Sequence, residues 1–363
     1  MIRNEAVRFK VRRNGAEFAD IYPVNSAPTL RSSDDGEIKM SLQGTFLTAA
    51  YNADGKKEEV DWLNDEIKPV LVINGVEYSL GILMPATAKY TTANGMDTVS
   101  IEAYDRCWKI RDTRKGSSVY FPAGMLYLDA VESLIVQSGI EMLARTDSNL
   151  ALTEDREDWE IGTSYLTIAN QLLEEINYKE IWFNSWGGAV LEPQYTPTAE
   201  NIQHIFTDQK VDPRNPKEVG IISIYDGINR SIDLFNAPNV YICICSNPDK
   251  SEGMVAISEN TMPMNPLSIV RRGRRIVQVE NVSNIASQAE LQAYADRKVS
   301  DSISTGEKIE VKTLLQPGFG VGDITALQSS GITGICVEKS WSMELRPGGT
   351  MTHNLEKVAY QIG

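Results

Sequence analysis

Few residues in this chain are able to act as a general base or a nucleophile near neutral pH. The 363 residues include two histidines, His204 and His353, and histidine is the usual general base in this pH range. His353 lies in the alternating segment 351–355 and is predicted to be an ordinary residue on one face of a strand, whereas His204 lies in a Pro-rich loop. A Cys–His dyad would need Cys107 or Cys336 beside one of them, and nothing in the spacing indicates such a pair.

The cysteines are predicted to be free thiols that fill small apolar spaces. The four residues are Cys107, Cys243, Cys245 and Cys336. They form no CxxC pair, and no histidine is spaced for a zinc site. Cys243 and Cys245 are two residues apart in a predicted strand, so their side chains point to the same face and do not readily form a disulfide. Free thiols indicate folding in a reducing compartment.

Carboxylates are abundant in this chain. Glycan cleavage requires two carboxylates that face each other across a cleft, and the sequence indicates no such pair. The acidic run 154–160 holds too many candidates and shows no apolar pocket beside it, and Glu174 and Glu175 diverge because they are adjacent on a helix. The run also lacks the spacing and the Gly of an EF-hand loop. We interpret it as a solvated face, with calcium binding as the alternative. We predict no catalytic residue, no metal ligand and no cofactor.

Two further segments resemble binding motifs. The Gly-rich segment 317–323 looks like a phosphate loop, but Ile324–Leu327 after it has the pattern of a strand and not of the required helix, so we interpret the segment as a turn. A dense basic cluster contains Arg271, Arg272, Arg274 and Arg275. Arg is favoured at interfaces because its planar fork bonds carboxylates bidentately. We predict that this cluster contacts an acidic partner in an assembly, with a solvated loop or a phosphate or lipid site as alternatives.

Composition and charge limit the classes of function. The chain has 42% hydrophobic and 23% charged residues, as globular proteins do, and its length suits two or three domains. Its net charge of -14 disfavours tight binding to nucleic acid or anionic lipid, but is compatible with nucleic acid sliding past a like-charged wall. The N-terminus lacks a signal-peptide pattern, and no apolar stretch approaches the roughly 18 residues of a membrane span. We expect a cytoplasmic product without a membrane anchor.

The elements that must position these residues begin with an antiparallel β domain, predicted over residues 1–113. Asn–Gly pairs favour type I′ hairpin turns because both residues accept positive φ, and they occur at Asn14-Gly15, Asn74-Gly75 and Asn94-Gly95. The apolar run 70–73 suits a buried strand, with Pro69 as its first residue. This density of turns predicts a barrel or a sandwich.

Residues 114–220 are predicted to form an α+β insert. One helix ends at Gly139, a second runs from about residue 164 to 176, a short hairpin occupies 181–192, and the Pro-rich stretch from about 193 to 220 is irregular. The apolar face of the first helix contains Leu128, Val131, Leu134 and Ile135.

Residues 221–363 return to strands, interrupted by one helix near 287–300 whose capping box begins at Ser287. The last strands are predicted at 309–311, 324–326, 332–337, 341–345 and 351–355. The predicted fold class is therefore β-rich α+β, with two antiparallel β-barrel domains and an α+β insert between them.

The order of several short segments resembles one family. In the first domain these segments are 70–73, 80–85 and 102–106; later ones are Trp159 with 162–164, then 172–178, 181–183, the helix after Ser287, and the glycines of 317–323. Together they resemble the hub proteins at the centre of phage tail baseplates and the hub module of type VI secretion spikes. The resemblance covers nearly the whole chain and depends on the order of the segments.

This resemblance implies a structural, non-enzymatic homotrimer. Two barrels in each chain would form a ring of six, with the insert on its outside, so that a threefold central spike meets a sixfold tail tube. Such a ring buries strand edges between subunits. The implied partners are further copies of the chain, a tail tube or distal tail ring protein, the spike protein, and the tape measure protein and DNA that pass through the channel. The implied location is the virion tail baseplate or an injection particle, assembled in the bacterial cytoplasm.

Three alternatives remain open. The chain is compatible with the N-terminal anchor module of a tail-associated lysin or receptor-binding protein, which predicts a further catalytic or adhesive domain; no such domain is expected after the second barrel. A cell-wall hydrolase predicts a pocket where His204 or a carboxylate pair converges. Another tail ring component, such as a tube-to-baseplate adaptor, differs from the hub only in its position in the particle.

Overall fold

The chain forms two compact units, each built from separate stretches of sequence. The computed structural model describes residues 3–157, 159–195, 197–211, 220–232, 238–245, 253–263, 265–282, 288–303 and 307–358. Unit 1 consists of Met1–Thr196, Leu314–Val321 and Ser340–Met351, and unit 2 of Pro197–Thr313, Gly322–Lys339 and Thr352–Gly363. The C-terminal part of the chain thus contributes to both units.

The first 195 residues are mainly strands. The early strands are β1 (Glu5–Arg13), β2 (Ala16–Ile21), β3 (Thr29–Ser33), β4 (Met40–Leu47), β5 (Ala49–Tyr51), β6 (Lys57–Glu59), β7 (Glu66–Ile73), β8 (Val76–Ser79), β9 (Met84–Ala93) and β10 (Met96–Tyr104). They are followed by α1 (Cys107–Asp112), α2 (Tyr127–Gln137), β11 (Leu143–Arg145), α3 (Tyr165–Glu175), β12 (Trp182–Phe183) and β13 (Ala189–Leu191).

After a 3-10 turn at Ala199–Asn201, the chain continues with strands and two helices. These are β14 (His204–Thr207), β15 (Ile221–Ser223), β16 (Ile228–Ile232), β17 (Val240–Cys245), β18 (Met254–Glu259), α4 (Ile269–Arg272), β19 (Val277–Val282), α5 (Gln288–Ile303), β20 (Glu307–Leu314), β21 (Ile324–Gln328), β22 (Thr333–Glu344) and β23 (Thr350–Lys357). The two strands predicted at 332–337 and 341–345 are one continuous strand, β22. Ser287, the predicted helix cap, lies outside the described residues.

The three Asn–Gly pairs form the predicted hairpin turns of unit 1. Asn14, Asn74 and Asn94 all have positive φ, between 50° and 52°, and each is followed by a glycine with positive φ. They join β1 to β2, β7 to β8 and β9 to β10. Their geometry follows from the ability of Asn and Gly to enter the left-handed region.

Pro69 is inside β7 and not at its start, which corrects the sequence prediction. β7 begins at Glu66, and Pro69 pairs in register with Phe9 of β1. The carbonyl of Pro69 accepts a hydrogen bond from Leu80 N, one residue beyond the end of β8. Pro69 therefore lacks its backbone N–H on the side where the ladder with β8 ends. A missing hydrogen-bond donor costs little at that position.

The β-rich α+β class is confirmed, but no sheet of the described residues closes into a barrel through its strand ladders. In unit 1, one sheet has the order β6-β5-β2-β1-β7-β8, and β9, β10, β4 and β3 form a second ladder that ends on residues 340–344 of β22. Two isolated bridges, Pro23 to Phe46 and Ile67 to Leu83, lie beside these two ladders. Pro23 has no N–H and Asn25 has a φ of 68°, so extended pairing ends there.

Unit 1 also contains the predicted α+β layer. Helices α2 and α3 pack on each other around a core that includes Leu128, Leu134, Leu166 and Leu172. Ser164 caps α3 by accepting a hydrogen bond from Thr167 N at 3.1 Å. A three-stranded sheet of order β11-β13-β12 completes the layer.

Unit 2 contains a long sheet and a smaller one. The long path runs β15-β14-β21, continues through β22 and β23, and ends with β20 and β16. The smaller sheet has the order β18-β17-β19, and α5 packs on β17 and β18. The helix predicted near 287–300 therefore covers this separate sheet.

Candidate functional site

A buried polar cluster surrounds His353 in unit 2. His353 of β23, Glu338 of β22 and Thr313 of β20 are each 0% exposed. Nδ1 of His353 lies 2.8 Å from Oε2 of Glu338, and its Nε2 lies 3.1 Å from Oγ1 of Thr313. The ring of Phe206 packs against the imidazole with 4.8 Å between ring centroids. No pattern in the sequence indicates this cluster, because three separate strands contribute its members.

Burial determines the protonation of the cluster. It lowers the pKa of His353 to about 3, assisted by the nearby His204. Burial, together with the charge of Asp323, raises the pKa of Glu338 well above its usual value. The protonated carboxyl of Glu338 then donates to Nδ1, and Nε2–H donates to Thr313. The residue types match a hydroxyl–imidazole–carboxylate triad, but a neutral carboxyl with no access to solvent does not activate a base. The cluster is suited to holding three strands together.

His204 lies in strand β14 and not in an irregular loop. Its register with Thr325 in β21 and the pairing of β14 with β15 place it inside a parallel ladder. Nε2 of His204 is 3.1 Å from Oδ2 of Asp323. The neighbouring Gln203 reinforces this contact, because its Oε1 accepts from Ile324 N at 2.8 Å and its Nε2 donates to Asp323 at 3.3 Å. The arrangement fixes β14 to the start of β21.

The cysteines are free and buried, as predicted. Cys243 and Cys245 share the face of β17 that packs against Leu291 of α5. Burial raises the pKa of Cys336 to about 12 and that of Cys107 well above its usual value. A thiol that stays protonated is a poor nucleophile, so these two side chains are suited to packing and not to a Cys–His dyad.

The acidic run 154–160 is a loop anchored by its two inward-facing residues. The buried Arg156 donates to both carboxylate oxygens of Glu175, at 2.7 and 3.0 Å, and its guanidinium lies 5.1 Å from the ring centroid of Trp159. The indole of Trp159 donates to Gln171 at 2.7 Å. The exposed members are Glu154, Asp155, Glu157 and Glu160, which agrees with the predicted solvated face; Asp158 lies outside the described residues.

The other candidate motifs have simple structural roles. The Gly-rich segment 317–323 leads directly into strand β21, as predicted, and not into a helix N-terminus. Over the described ranges, no group of three or more His, Cys, Asp and Glu side chains is arranged to hold a metal ion. In the same part of the chain, no helix combines the length and apolar character needed to cross a membrane.

An open groove of about 960 Å³ lies on unit 1 and contains aromatic residues and carboxylates. Its lining includes Trp62, Tyr90 and Trp108, with Asp61 at its edge. Asp61 accepts hydrogen bonds from Leu63 N and from Asn64, and these bonds lower its pKa. A carboxylate held ionised in this way caps a turn and does not act as a proton donor.

The four arginines predicted at an interface are brought together on one short turn. Ser268 caps α4 by accepting from Arg271 N at 3.2 Å, and Gly273, with a φ of 64°, ends the helix. Arg275 pairs with Glu259 at 2.6 Å. Exposure is highest at Arg271, Arg274 and Arg275, while Arg272 is partly buried.

Two edge strands of unit 1 expose apolar side chains. β8 ends one sheet and β9 ends the other ladder. Residues 89–97 at the tip of the β9–β10 hairpin are all exposed, including Tyr90 and Met96. On β8, Val76 and Tyr78 are exposed. Such edges are templates for pairing with another chain unless they are covered.

Comparison with known proteins gives a match in structure. No family model matches the sequence, and no curated protein matches it either. A tail protein from Neisseria meningitidis MC58 has a TM-score of 0.69 at 14% identity, with 98% of this chain and 97% of that chain aligned. The 43 kDa tail protein of prophage MuSo2 from Shewanella oneidensis has a TM-score of 0.65 at 9% identity, covering 97% and 98%.

A secretion protein shares the same fold. The E. coli c3393 protein, a component of the type VI secretion system described as structurally similar to T4 tail proteins gp27 and gp5, has a TM-score of 0.54 at 8% identity. It covers 98% of this chain and 78% of that chain. This protein therefore has the fold of phage tail proteins and of related type VI secretion components, as the resemblance in its sequence predicted.

Proposed function

We propose that this protein is a structural hub of a tail baseplate, a homotrimeric ring that joins a sixfold tail tube to a threefold central spike. The observation that carries the proposal is a fold shared with tail proteins over nearly the full length of both chains. Fold alone does not imply function, so the surfaces and the buried polar groups supply the supporting arguments.

The exposed edges support self-assembly. A monomer that leaves β8 and β9 open in solution invites uncontrolled pairing. A closed ring of identical subunits buries such edges at defined contacts. In our proposal each chain contributes two rolled sheets to a ring of six. The bridges at Pro23 and Ile67 in unit 1 favour this rolling, as does the short link from Ser223 to Ile228 between the two ends of the long sheet of unit 2.

The proposed role is mechanical and not catalytic. The His353 cluster is sealed from solvent, and the pKa of the Cys336 thiol is raised to about 12. His204 is engaged by Asp323 within a ladder. These arrangements support strand packing, and they give no support to a cell-wall hydrolase with His204 at its centre.

Net charge supports a channel through which a polyanion passes. With a charge of -14, the chain repels DNA at short range, so DNA would not adhere to the wall of the ring. The proposed partners are other copies of the chain, a tail tube or distal tail ring protein, the spike protein, and the tape measure protein and DNA in transit. We place the protein in the baseplate of the virion or of an injection particle, assembled in the bacterial cytoplasm.

We retain the predicted division of the sequence as part of this proposal: a first β domain over 1–113, an insert over 114–220 and a second β domain over 221–363. The four arginines at 271, 272, 274 and 275 are proposed to contact an acidic surface of a neighbouring subunit.

Electron cryomicroscopy of particles that contain the chain tests this function. We expect a threefold density at the junction of tube and spike, into which three copies of the chain fit around an open pore. Density for the chain at the tail tip fibres, or as single copies outside the axis, would overturn the hub proposal.

A further inference from the structure

One face of the small sheet in unit 2 is apolar and exposed. Helix α5 covers the opposite face, where Cys243, Cys245 and Ala256 form a core with Leu291 and Ala295. Because alternate residues of a strand point to opposite faces, the residues between them point away from α5. The apolar residues of this face, here called the apolar β-face, are Ile242, Ile244, Val255, Ile257, Val277 and Val279; the buried Val240 and the polar Glu259 and Asn281 lie at its ends.

The register of the three strands makes this face continuous. Ile242 lies opposite Ile257 on one side and Val279 on the other, and Ile244 lies opposite Val255. The four side chains on the two outer strands are between 46% and 52% exposed. A contiguous apolar patch of this kind on a soluble protein marks a contact site more often than isolated apolar residues do.

The basic turn borders the apolar β-face at one end. Asn239, which directly precedes β17, accepts a hydrogen bond from Ile276 N at 2.7 Å and donates to Arg274 O at 3.0 Å. The exposed arginines therefore lie where β17 and β19 begin. Within the described residues, Arg271 and Arg274 take part in no ion pair, so their guanidinium groups are available to an acidic partner.

A surface of complementary character is present in unit 1. It is the acidic loop, here residues 154–157 and 159–161, whose exposed carboxylates are interspersed with inward-facing anchors. Ile161, at its end, is 69% exposed. Tyr120, also exposed, lies beside the loop. The next residue, Phe121, donates its N–H to Arg156 O at 2.9 Å, and its carbonyl accepts from Arg156 N at 2.8 Å. The loop thus combines negative charge with exposed apolar groups.

Ring geometry requires two different surfaces to meet. A threefold ring is closed by heterologous contacts, in which one surface of a subunit binds a different surface of the next. The apolar β-face with its arginines and the acidic loop satisfy this requirement in both charge and apolar character. We propose that the apolar β-face of one subunit docks on the acidic loop of a second copy of this chain. This inference depends on the proposed trimeric hub.

Charge reversal and its rescue test the contact. One variant carries Arg271→Glu and Arg274→Glu; a second carries Glu154→Lys, Glu157→Lys and Glu160→Lys; a third combines all five changes. Each reversal places like charges opposite one another, which is strongly unfavourable at an interface. In analytical ultracentrifugation at 150 mM salt, we expect each of the first two variants to raise the concentration of half-dissociation by at least about tenfold. The combined variant is expected to return to within about threefold of the native protein.

A matched control separates specific rescue from a general charge effect. The triple change Asp35→Lys, Glu37→Lys and Asp54→Lys alters three other exposed carboxylates, and we expect it not to rescue the arginine variant. Ile257→Asp, within the apolar β-face, is expected to weaken association by a similar factor even at 500 mM salt, since salt does not screen an apolar contact. Circular dichroism spectra that match the native spectrum verify that each variant is folded.

The possible outcomes distinguish this contact from the hub proposal. If the native chain is trimeric and both reversals leave its association unchanged, the docking surfaces are wrong and the hub proposal stands. The same holds if the reversals weaken only the binding of another tail protein. A native chain that stays monomeric overturns both proposals. The docking is supported if each charge reversal alone weakens association of the chain and the combined variant restores it.

Discussion

The buried pair of Glu338 and His353 predicts how the free energy of unfolding depends on pH. Glu338 has a raised pKa, so its contribution to stability is fully present below the unfolded value of 4.5 and is lost as pH rises toward its folded pKa. His353 has a lowered pKa, so its contribution is present above the unfolded value of 6.5 and is lost as pH falls toward about 3. Between pH 4.5 and 6.5 the two dependences oppose each other.

The substitution Glu338→Gln isolates the carboxyl. The amide of Gln donates a hydrogen bond to Nδ1 of His353 as the protonated carboxyl does, but it does not titrate. Above pH 4.5 the native protein must keep a proton on Glu338 that the unfolded chain releases, which costs about tenfold in the folding equilibrium constant for each pH unit. Relative to the native protein, the Gln variant should therefore gain about tenfold in that constant with each unit, up to the folded pKa of Glu338.

Urea unfolding at pH 5.5, 6.5 and 7.5 measures this gain. Far-UV circular dichroism is the suitable signal, because the six tryptophans all belong to unit 1 and would not report on unit 2. Glu200→Gln, at an exposed position of unit 2, is the control and should show no comparable change with pH.

A Gln variant that is less stable than the native protein, by an amount that stays constant or grows as pH rises, would refute this reasoning. That result would mean that the folded pair is an ion pair, carboxylate with imidazolium, and that Gln removes a needed charge. A buried ion pair broken on one side costs about 3–5 kcal/mol, which distinguishes the two cases clearly.

Three further substitutions test the packing of unit 1 by thermal and urea unfolding. Phe46→Ala empties a fully buried site whose ring lies 5.0 Å from that of Phe9, so we expect a loss of about 3–5 kcal/mol; a loss below 1 kcal/mol would contradict that core. Arg156→Ala removes two hydrogen bonds to the exposed Glu175 and should cost about 1 kcal/mol, whereas a neutral result would show that the acidic loop needs no anchor. Ser164→Ala removes the cap of α3 and should cost about 1 kcal/mol, while Ser164→Asp should retain most of that stability.

Local features of this fold were predictable from sequence. Asn–Gly pairs fix hairpins because few residues accept positive φ, and all three pairs form turns. The helix ending at Gly139 and the helix capped by Ser164 follow from apolar spacing and from capping chemistry. These signals act within a few residues, so neighbouring sequence is sufficient to determine them.

Long-range pairing was not predictable in the same way. Ser340 pairs with Ser33, and His204 pairs with Thr325, across more than 100 residues of intervening chain. Alternation of apolar residues indicates a strand but does not identify its neighbour. For this reason the burial of His353 beside Glu338 and the apolar β-face opposite α5 became visible only in the structure.

The mass of the purified chain in solution tests the central claim most directly. Light scattering coupled to size exclusion, at tens of micromolar chain and 150 mM salt, should give three times the 40.3 kDa of one chain, about 121 kDa. A single species at 40.3 kDa across that concentration range would contradict the trimeric hub.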